Sequence, residues 1–323
     1  MRQQLPPCLR CQSAIEADDI RCPVCYLAIN RPPAVPTAAI RIQTLRCRSC
    51  GAGLEYRASL QAPQCAFCGG VLALEEKPDP VEQAERYLPF VFDRQAATNA
   101  YRQWLGQLGW FRPSNLTSNA RLESLHALWW IGWVVNADVL ITWTADSNAG
   151  AQRAKWAPHS GELGTMFDGL VIPAGRGLTV AECVRLIPSY SLGNTSGAAG
   201  PQHPEAVLER FELPRSAARS TILETIRRQA ESKVQAQHIP GSRFRNFHAA
   251  IRLRGLVSRR MAFPAYVIAY RYHGRLYRTV ISGQVPSCIT GQAPRSVAKV
   301  VLVVALAALA LGGLALGLLL QLK

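Results

Sequence analysis

The sequence predicts an α+β protein built in three parts. Four Cys-x-x-Cys pairs crowd the N-terminal quarter, a long middle stretch mixes helical periodicities with alternating strand patterns, and an uninterrupted apolar run occupies 300–320. The chain has 323 residues, room for about two domains plus attachments. Hydrophobic residues make up 49% and charged residues 18%, a balance that excludes disordered, collagen-like and coiled-coil classes.

The cysteine pairs are Cys8 with Cys11, Cys22 with Cys25, Cys47 with Cys50, and Cys65 with Cys68. A two-residue spacer lets both thiolates of a knuckle face one ion, and a hairpin brings a second knuckle to close a tetrahedral four-sulfur shell. The spacing therefore predicts two small ribbons, one over 1–30 and one over 43–75, joined by a Pro-rich linker over 31–42. About thirty residues cannot bury enough surface to fold alone, so bound metal would supply the folding energy. Zinc, as two structural ions, is favoured over a disulfide framework in a reducing compartment, and over a catalytic metal because four Cys leave no open position. Mononuclear iron or a cluster fits the same ligand count. A thioredoxin-like redox pair at Cys22-Pro23-Val24-Cys25 would need a helix after it, which Tyr26-Leu27-Ala28-Ile29 does not offer. Gly51 and Gly69 follow the knuckles of the second ribbon and suit the left-handed turns expected there. Cys183 and Cys288 stand in apolar surroundings and read as buried small hydrophobes.

The segment 76–295 is expected as one mostly antiparallel α+β domain. Lys77-Pro78-Asp79-Pro80 reads as a second linker into it. Residues 93–108 predict an amphipathic helix with Ala97, Tyr101, Trp104, Leu105 and Leu108 on one face, capped by Asp93. From 125 to 143 a Trp- and Val-rich stretch, interrupted by Asn136 and Asp138, predicts paired strands, with the tryptophans as sheet core. Residues 215–237 give the best helical pattern: Ile222, Leu223, Ile226, Ala230 and Val234 on one side, Glu224 four before Arg228 on the other. Beyond it Ile251-Arg252-Leu253-Arg254 alternates, and 266–272, His273-Gly274 and 275–281 predict a hairpin.

The run 300–320 contains no polar side chain and at about 1.5 Å per residue would span roughly 30 Å, the hydrocarbon thickness of a bilayer. It predicts a C-terminal transmembrane helix over 296–323, in which Gly313 and Gly317 could pair two copies of the chain as a homodimer. No secretory leader is expected from residues 1–10, and Arg295 and Lys299 precede the run. The positive-inside bias then leaves the N-terminal domains in the cytoplasm, on a single-pass inner-membrane protein. Net charge is +15, and no acidic residue follows Glu231, so nearly all the excess falls in the segment 233–299 and its neighbours. Such a segment is expected to lie against anionic lipids of the inner leaflet.

In combination these motifs resemble an uncharacterised bacterial zinc-ribbon family whose members are loosely labelled after the primosomal replication helicase. The resemblance runs through Cys47 to Gly70, Tyr87-Leu88-Pro89-Phe90, Tyr101-Arg102-Gln103-Trp104-Leu105 and Trp110-Phe111-Arg112-Pro113-Ser114-Asn115-Leu116. It continues in Phe167-Asp168-Gly169-Leu170-Val171-Ile172-Pro173-Ala174 and Tyr270-Arg271-Tyr272-His273-Gly274-Arg275-Leu276-Tyr277. It implies a cytoplasmic zinc-ribbon protein and carries no activity. The chain departs from it in its first ribbon, its apolar C-terminal run, and Ser282-Gly283-Gln284 in place of Asn-Gly-Gln. The helicase label is physically empty, because no Gly-x-x-x-x-Gly-Lys-Ser/Thr phosphate loop occurs.

No catalytic residues are expected. His126, His159, His203, His238, His248 and His273 are scattered without a metalloprotease spacing, and Asp146, Glu162 and Asp168 lie near one another in sequence and could in principle supply paired carboxylates, although acids in turns are more often there for solubility. The expected function is a membrane-tethered, metal-folded adaptor that meets an unidentified cytoplasmic protein. The alternative is a membrane-associated nucleic-acid binder, for which residues 1–80 are too evenly charged but the later Arg-rich strands are suited.

Overall fold

The computed structural model describes residues 7–13, 15, 19, 21–29, 41–55, 64–78, 83–150, 155–197, 206–212 and 215–308. Two sheets organise them. A small sheet has the order β2-β1-β3, with β1 Arg41–Cys47, β2 Gly53–Glu55 and β3 Leu72–Pro78 all antiparallel. The large one is seven-stranded and is built on two long antiparallel partners, β5 (Arg121–Ser147) and β8 (Phe244–Tyr272). β6 (Ala157–Pro173) pairs with β5 along one edge. β9 (Arg275–Ser282) and β10 (Ile289–Gly291) extend the sheet from the C-terminal end of β8. Two short parallel additions, β4 (Arg86–Tyr87) on β8 and β7 (Val207–Leu208) on β5, complete it.

The burial of β5 changes along its length, and the sequence explains why. From Leu128 to Val135 nearly every residue is buried, including Trp129, Trp130, Ile131 and Trp133, as expected of a strand covered on both faces. Beyond Val135 burial largely alternates, with Ala137, Val139, Ile141, Trp143 and Ala145 inward and Asn136, Asp138, Thr142 and Thr144 on the other face. A bulge at Val135/Ala137 marks the change, and there the Asn136 side-chain oxygen accepts the Gly169 N–H at 3.0 Å.

The inward face of that outer half is covered by α4 (Arg215–Gln237) through Ala218, Ile222, Ile226, Ala230 and Val234. Its outer side carries Glu224 between Arg227 and Arg228 at 2.8 Å each; the Arg228 pair is the one expected from the i,i+4 spacing, and the Arg227 pair, at i,i+3, adds to it. At the inner end of the sheet α1 (Arg94–Gln107) packs Ala97, Tyr101 and Leu105 onto the same face, and the one-turn α2 (Leu116–Asn119) adds Leu116 to it. Asp93 caps it, accepting the Ala96 N–H at 2.8 Å. On the opposite face Trp130 stacks on Phe263 with centroids 4.3 Å apart, and its indole N–H donates to the Tyr190 hydroxyl at 3.0 Å. α3 (Val180–Leu186), with a Thr179/Glu182 capping box, buries Cys183 and Leu186 there. Cys183 is thus the small core hydrophobe its context suggested; Cys288 is half-buried, its thiol 3.5 Å from the Arg185 carbonyl oxygen.

The hairpin between β8 and β9 turns on His273 and Gly274, both left-handed at φ 46° and 79°, as a two-residue turn with the right twist requires.

Two expectations are corrected. The α+β class gives way to a mostly antiparallel sheet with few helices, because the strand pattern around 125–143 and that around 251–272 each belong to one unbroken strand far longer than either pattern. The transmembrane helix is not found either: no helix among the described residues is long and apolar enough to cross a membrane. The last described helix, α5 over 297–308, rises only about 18 Å, and 309–323 lie outside the described residues, with Gly313 and Gly317 among them. The linker over 31–42 falls almost wholly outside them as well, as does His203.

Candidate metal centres

The four knuckles share one backbone turn. In each, the N–H of the residue after the second cysteine bonds back to the carbonyl of the first: Gln12 to Cys8, Tyr26 to Cys22, Gly51 to Cys47 and Gly69 to Cys65, at 2.7–3.0 Å. The first cysteine's own N–H bonds five residues on, to Ser13, Leu27, Ala52 and Gly70. The turn needs a left-handed residue after the knuckle. Gly51 (φ 74°) and Gly69 (φ 71°) meet it without strain, whereas Gln12 (φ 58°) and Tyr26 (φ 59°) meet it with a side chain.

These turns bring the predicted ligands together as two sets. The sulfurs of Cys8, Cys11, Cys22 and Cys25 all lie within 4.8 Å of one another, and so do those of Cys47, Cys50, Cys65 and Cys68. The cross-knuckle separations are 3.5 Å for Cys8–Cys25, Cys11–Cys22 and Cys47–Cys68, and 3.7 Å for Cys50–Cys65. A disulfide would need about 2.05 Å, while a tetrahedral thiolate shell with metal–sulfur bonds of about 2.3 Å has edges of about 3.8 Å. All eight thiols are free, and each tetrad is shaped to hold one metal ion.

The electrostatics point the same way. The hydrogen bond from the Cys65 thiol pulls Cys50 down to about 5, and that same contact, with burial, drives Cys65 up. In the first tetrad burial disfavours a Cys22 thiolate, but hydrogen bonds from Ser13 and from the backbone of Cys25 and Val24 outweigh it and bring Cys22 down to about 6. A backbone hydrogen bond at Leu27 lowers Cys25, yet desolvation and the crowding of Cys8, Cys11 and Cys22 push it up to about 12. Four thiols this close cannot all ionise beside one another, so the full thiolate set requires a cation at its centre.

The two centres differ in what holds them. The second is built into the body: Cys47, Ala52, Leu54, Cys65, Ala66 and Phe67 belong to one buried cluster with Leu128, Trp130, Leu178, Cys183 and Phe263. Arg278 donates to the carbonyls of Phe67 and Gly177 at 3.2 and 3.0 Å and pairs with Glu182 at 2.5 Å. Arg46 bridges Glu75 and Glu212, each at 2.8 Å, and the Arg210 N–H donates to the Gly53 carbonyl. The first centre touches the body through Asp19, almost fully buried, which pairs with Arg219 of α4 at 2.6 Å. Neither Phe67 nor Asp19 stood out in the sequence. Phe67 sits between two of the cysteines and reads as knuckle filler, and Asp19 is one of three acids over 16–19 in the sequence. Ser13, whose hydroxyl lies 3.0 Å from the Cys11 sulfur and 3.2 Å from that of Cys22, was also missed.

The acids are not brought together. Glu162 lies opposite Thr142 and Asp146 opposite Pro158, roughly 13 Å apart along the strands, and Asp168 lies farther still. Asp146 is taken by Asn246 at 2.7 Å and Arg245 at 3.5 Å. No family model, curated protein or solved structure matches the chain.

Proposed function

We propose that this chain is a zinc-folded adaptor without catalytic activity, working on the cytoplasmic side of a membrane. The observation that carries the reading is the closure of both sulfur tetrads: all four donors of each set converge, leaving no coordination position for a substrate or an activated water. Zinc is taken as the ion because a closed tetrahedral four-sulfur shell is its usual structural site; the same shell accepts iron, which elemental analysis distinguishes. The second tetrad would serve as an internal staple of the body. The first, joined to α4 by Asp19 and Arg219, would be the outward surface offered to a cytoplasmic protein partner. The basic segment 233–299 would face anionic lipids of the inner leaflet.

Elemental analysis of the purified full chain, with tryptic digestion before and after chelation, tests this. About two zinc per chain, with chelation opening both the first forty residues and the sheet face that holds Phe67, supports it. Iron, fewer than two metals, or digestion unchanged by chelation overturns it.

A second reading, nucleic-acid binding, draws on one observation: β8 presents Arg252 and Arg259 as exposed, while Arg254 and Arg245 are paired with Asp138 and Asp146. Its test is a salt-titrated gel shift, in which a steep loss of binding with salt would favour it.

A further inference from the structure

Exposed apolar side chains gather at one end of the large sheet, next to the start of α5. Trp110 and Phe111 are 54% and 48% exposed, with rings edge to face at 5.5 Å. The Phe111 carbonyl accepts the Ser296 N–H at 2.8 Å, and the Lys299 ammonium bonds the Arg112 carbonyl at 2.9 Å and lies 5.3 Å from the Trp110 ring centroid. The aromatic pair and the first turn of α5 therefore form one rigid corner. The sheet end belongs to it too, because Tyr272 donates to Asn115 at 2.7 Å and Tyr270 to the Gln292 carbonyl at 2.8 Å.

α5 itself is exposed on every side. Val300, Val301, Leu302, Val303, Val304 and Leu306 point in all directions around the axis, and each is at least 37% exposed. A helix that docks into a groove on another protein keeps a polar stripe for water, and this one has none. Among the described residues, the charges around the corner that lack an ion-pair partner are of one sign. Arg121, Arg275 and Arg295 are exposed with no acidic partner among the described residues, and the nearby Glu123 is already paired with Arg271 at 2.9 Å.

We propose that Trp110, Phe111 and α5, rimmed by Arg121, Arg275 and Lys299, form a surface that seats the body on an anionic lipid headgroup layer. An aromatic pair at headgroup depth, a cation beside the indole and apolar side chains beyond it match the ordering of polarity across one leaflet. Contact with a single leaflet is the whole of the proposal, and no crossing of the bilayer enters it. It deepens the membrane part of the proposed function and is independent of what the first metal centre binds.

The test uses the metal-loaded full chain with vesicles of phosphatidylglycerol and phosphatidylcholine bearing bromine on their acyl chains, which quench nearby tryptophan. Trp110 is the one tryptophan of the seven that is exposed, so quenching is expected in the wild type and is expected to vanish in Trp110→Phe. Replacing Arg121 and Arg275 by Gln should lower partitioning onto anionic vesicles on the order of twentyfold and leave neutral vesicles unaffected. Metal content and circular dichroism show that each variant folds. Absence of quenching, quenching that persists in Trp110→Phe, or equal partitioning of the double variant overturns the proposal. A protein that instead self-associates through this corner, with its quenching lost, overturns it as well. Failure of the adaptor reading shows separately, in the metal analysis, where no lipid is present.

Discussion

The Phe67 ring fills the space that a side chain at Gly177 would take: a Cβ built there lies 2.3 Å from Cε1 of the ring. Phe67 is carried by the fourth knuckle and is essentially fully buried, so this contact locks the second metal centre onto the loop before α3. The backbone there is held in place by Arg278 and by Glu209, whose carboxylate accepts the Gly177 N–H at 2.7 Å.

Gly177→Ala should therefore overpack the seat of the ring and cost on the order of 1–3 kcal/mol. Urea unfolding followed by tryptophan fluorescence measures it, because Trp130 lies in the same cluster. A midpoint unchanged from wild type would mean that the second ribbon is not anchored through Phe67. Metal stoichiometry should stay at its wild-type value, since no ligand is altered.

Asp19 and Arg219 make the corresponding link for the first centre. The carboxylate is almost fully buried and Arg219 is partly exposed, so the pair is better shielded from water than a surface ion pair. Asp19→Asn should weaken the seat of the first ribbon while leaving the second untouched. In a chelator-competition assay the wild type should lose metal in two phases, and the variant should accelerate only the faster one, by about tenfold. Equal acceleration of both phases would show that the two centres are coupled through the body.

The knuckle turns give a prediction of opposite sign. Gln12 and Tyr26 occupy left-handed positions that glycine fills in the second ribbon. A side chain there costs about 1 kcal/mol, so Gln12→Gly and Tyr26→Gly should each stabilise the first metal centre by a few tenths to 1 kcal/mol, the gain being offset by glycine's greater freedom when unfolded. Chelator competition reads this as slower or tighter retention at the first site. Faster loss in both variants would show that the side chains themselves, rather than the turn, hold the ribbon.

What the sequence disclosed followed from local chemistry. The two converging sets of four cysteines were legible because a two-residue spacer dictates its own geometry, and α1 and α4 were legible because each shows one apolar stripe and, in the first case, a clear limit at Asp93. The long strands were not. Asn136 and Asp138 interrupt the apolar pattern of β5 and read as a break, yet Asn136 stands at a bulge and Asp138 on the open face, paired with Arg254 at 2.7 Å. A change in coverage from two faces to one looks in sequence like the end of a strand. The union of the second ribbon with the body was hidden for a different reason: it depends on what Phe67, Leu54 and Arg278 meet across more than a hundred residues of chain, and no local pattern encodes that.

Glu209 is an acid held almost fully inside the body. Its carboxyl is buried between the Gly175–Gly177 turn and the Leu54 edge of the second ribbon. Desolvation pushes it up to about 8, against hydrogen bonds from the backbone of Gly177, Arg176 and Ile131 that favour the charged form. Because the folded value lies above the ordinary carboxylate value of 4.5, the folded state binds more protons than the unfolded chain between those limits. Its contribution is greatest below about pH 4.5 and is lost as pH rises toward 8. Glu209→Gln keeps an oxygen to accept the Gly177 N–H and removes the titration, so it should flatten the fall of Tm across that window and raise Tm near pH 8 by a few degrees. Thermal melts at matched ionic strength, buffered from pH 5 to 8 with zinc present, give the comparison. Parallel pH profiles for variant and wild type would show that the carboxyl stays ionised in the folded protein, held by the backbone donors around it.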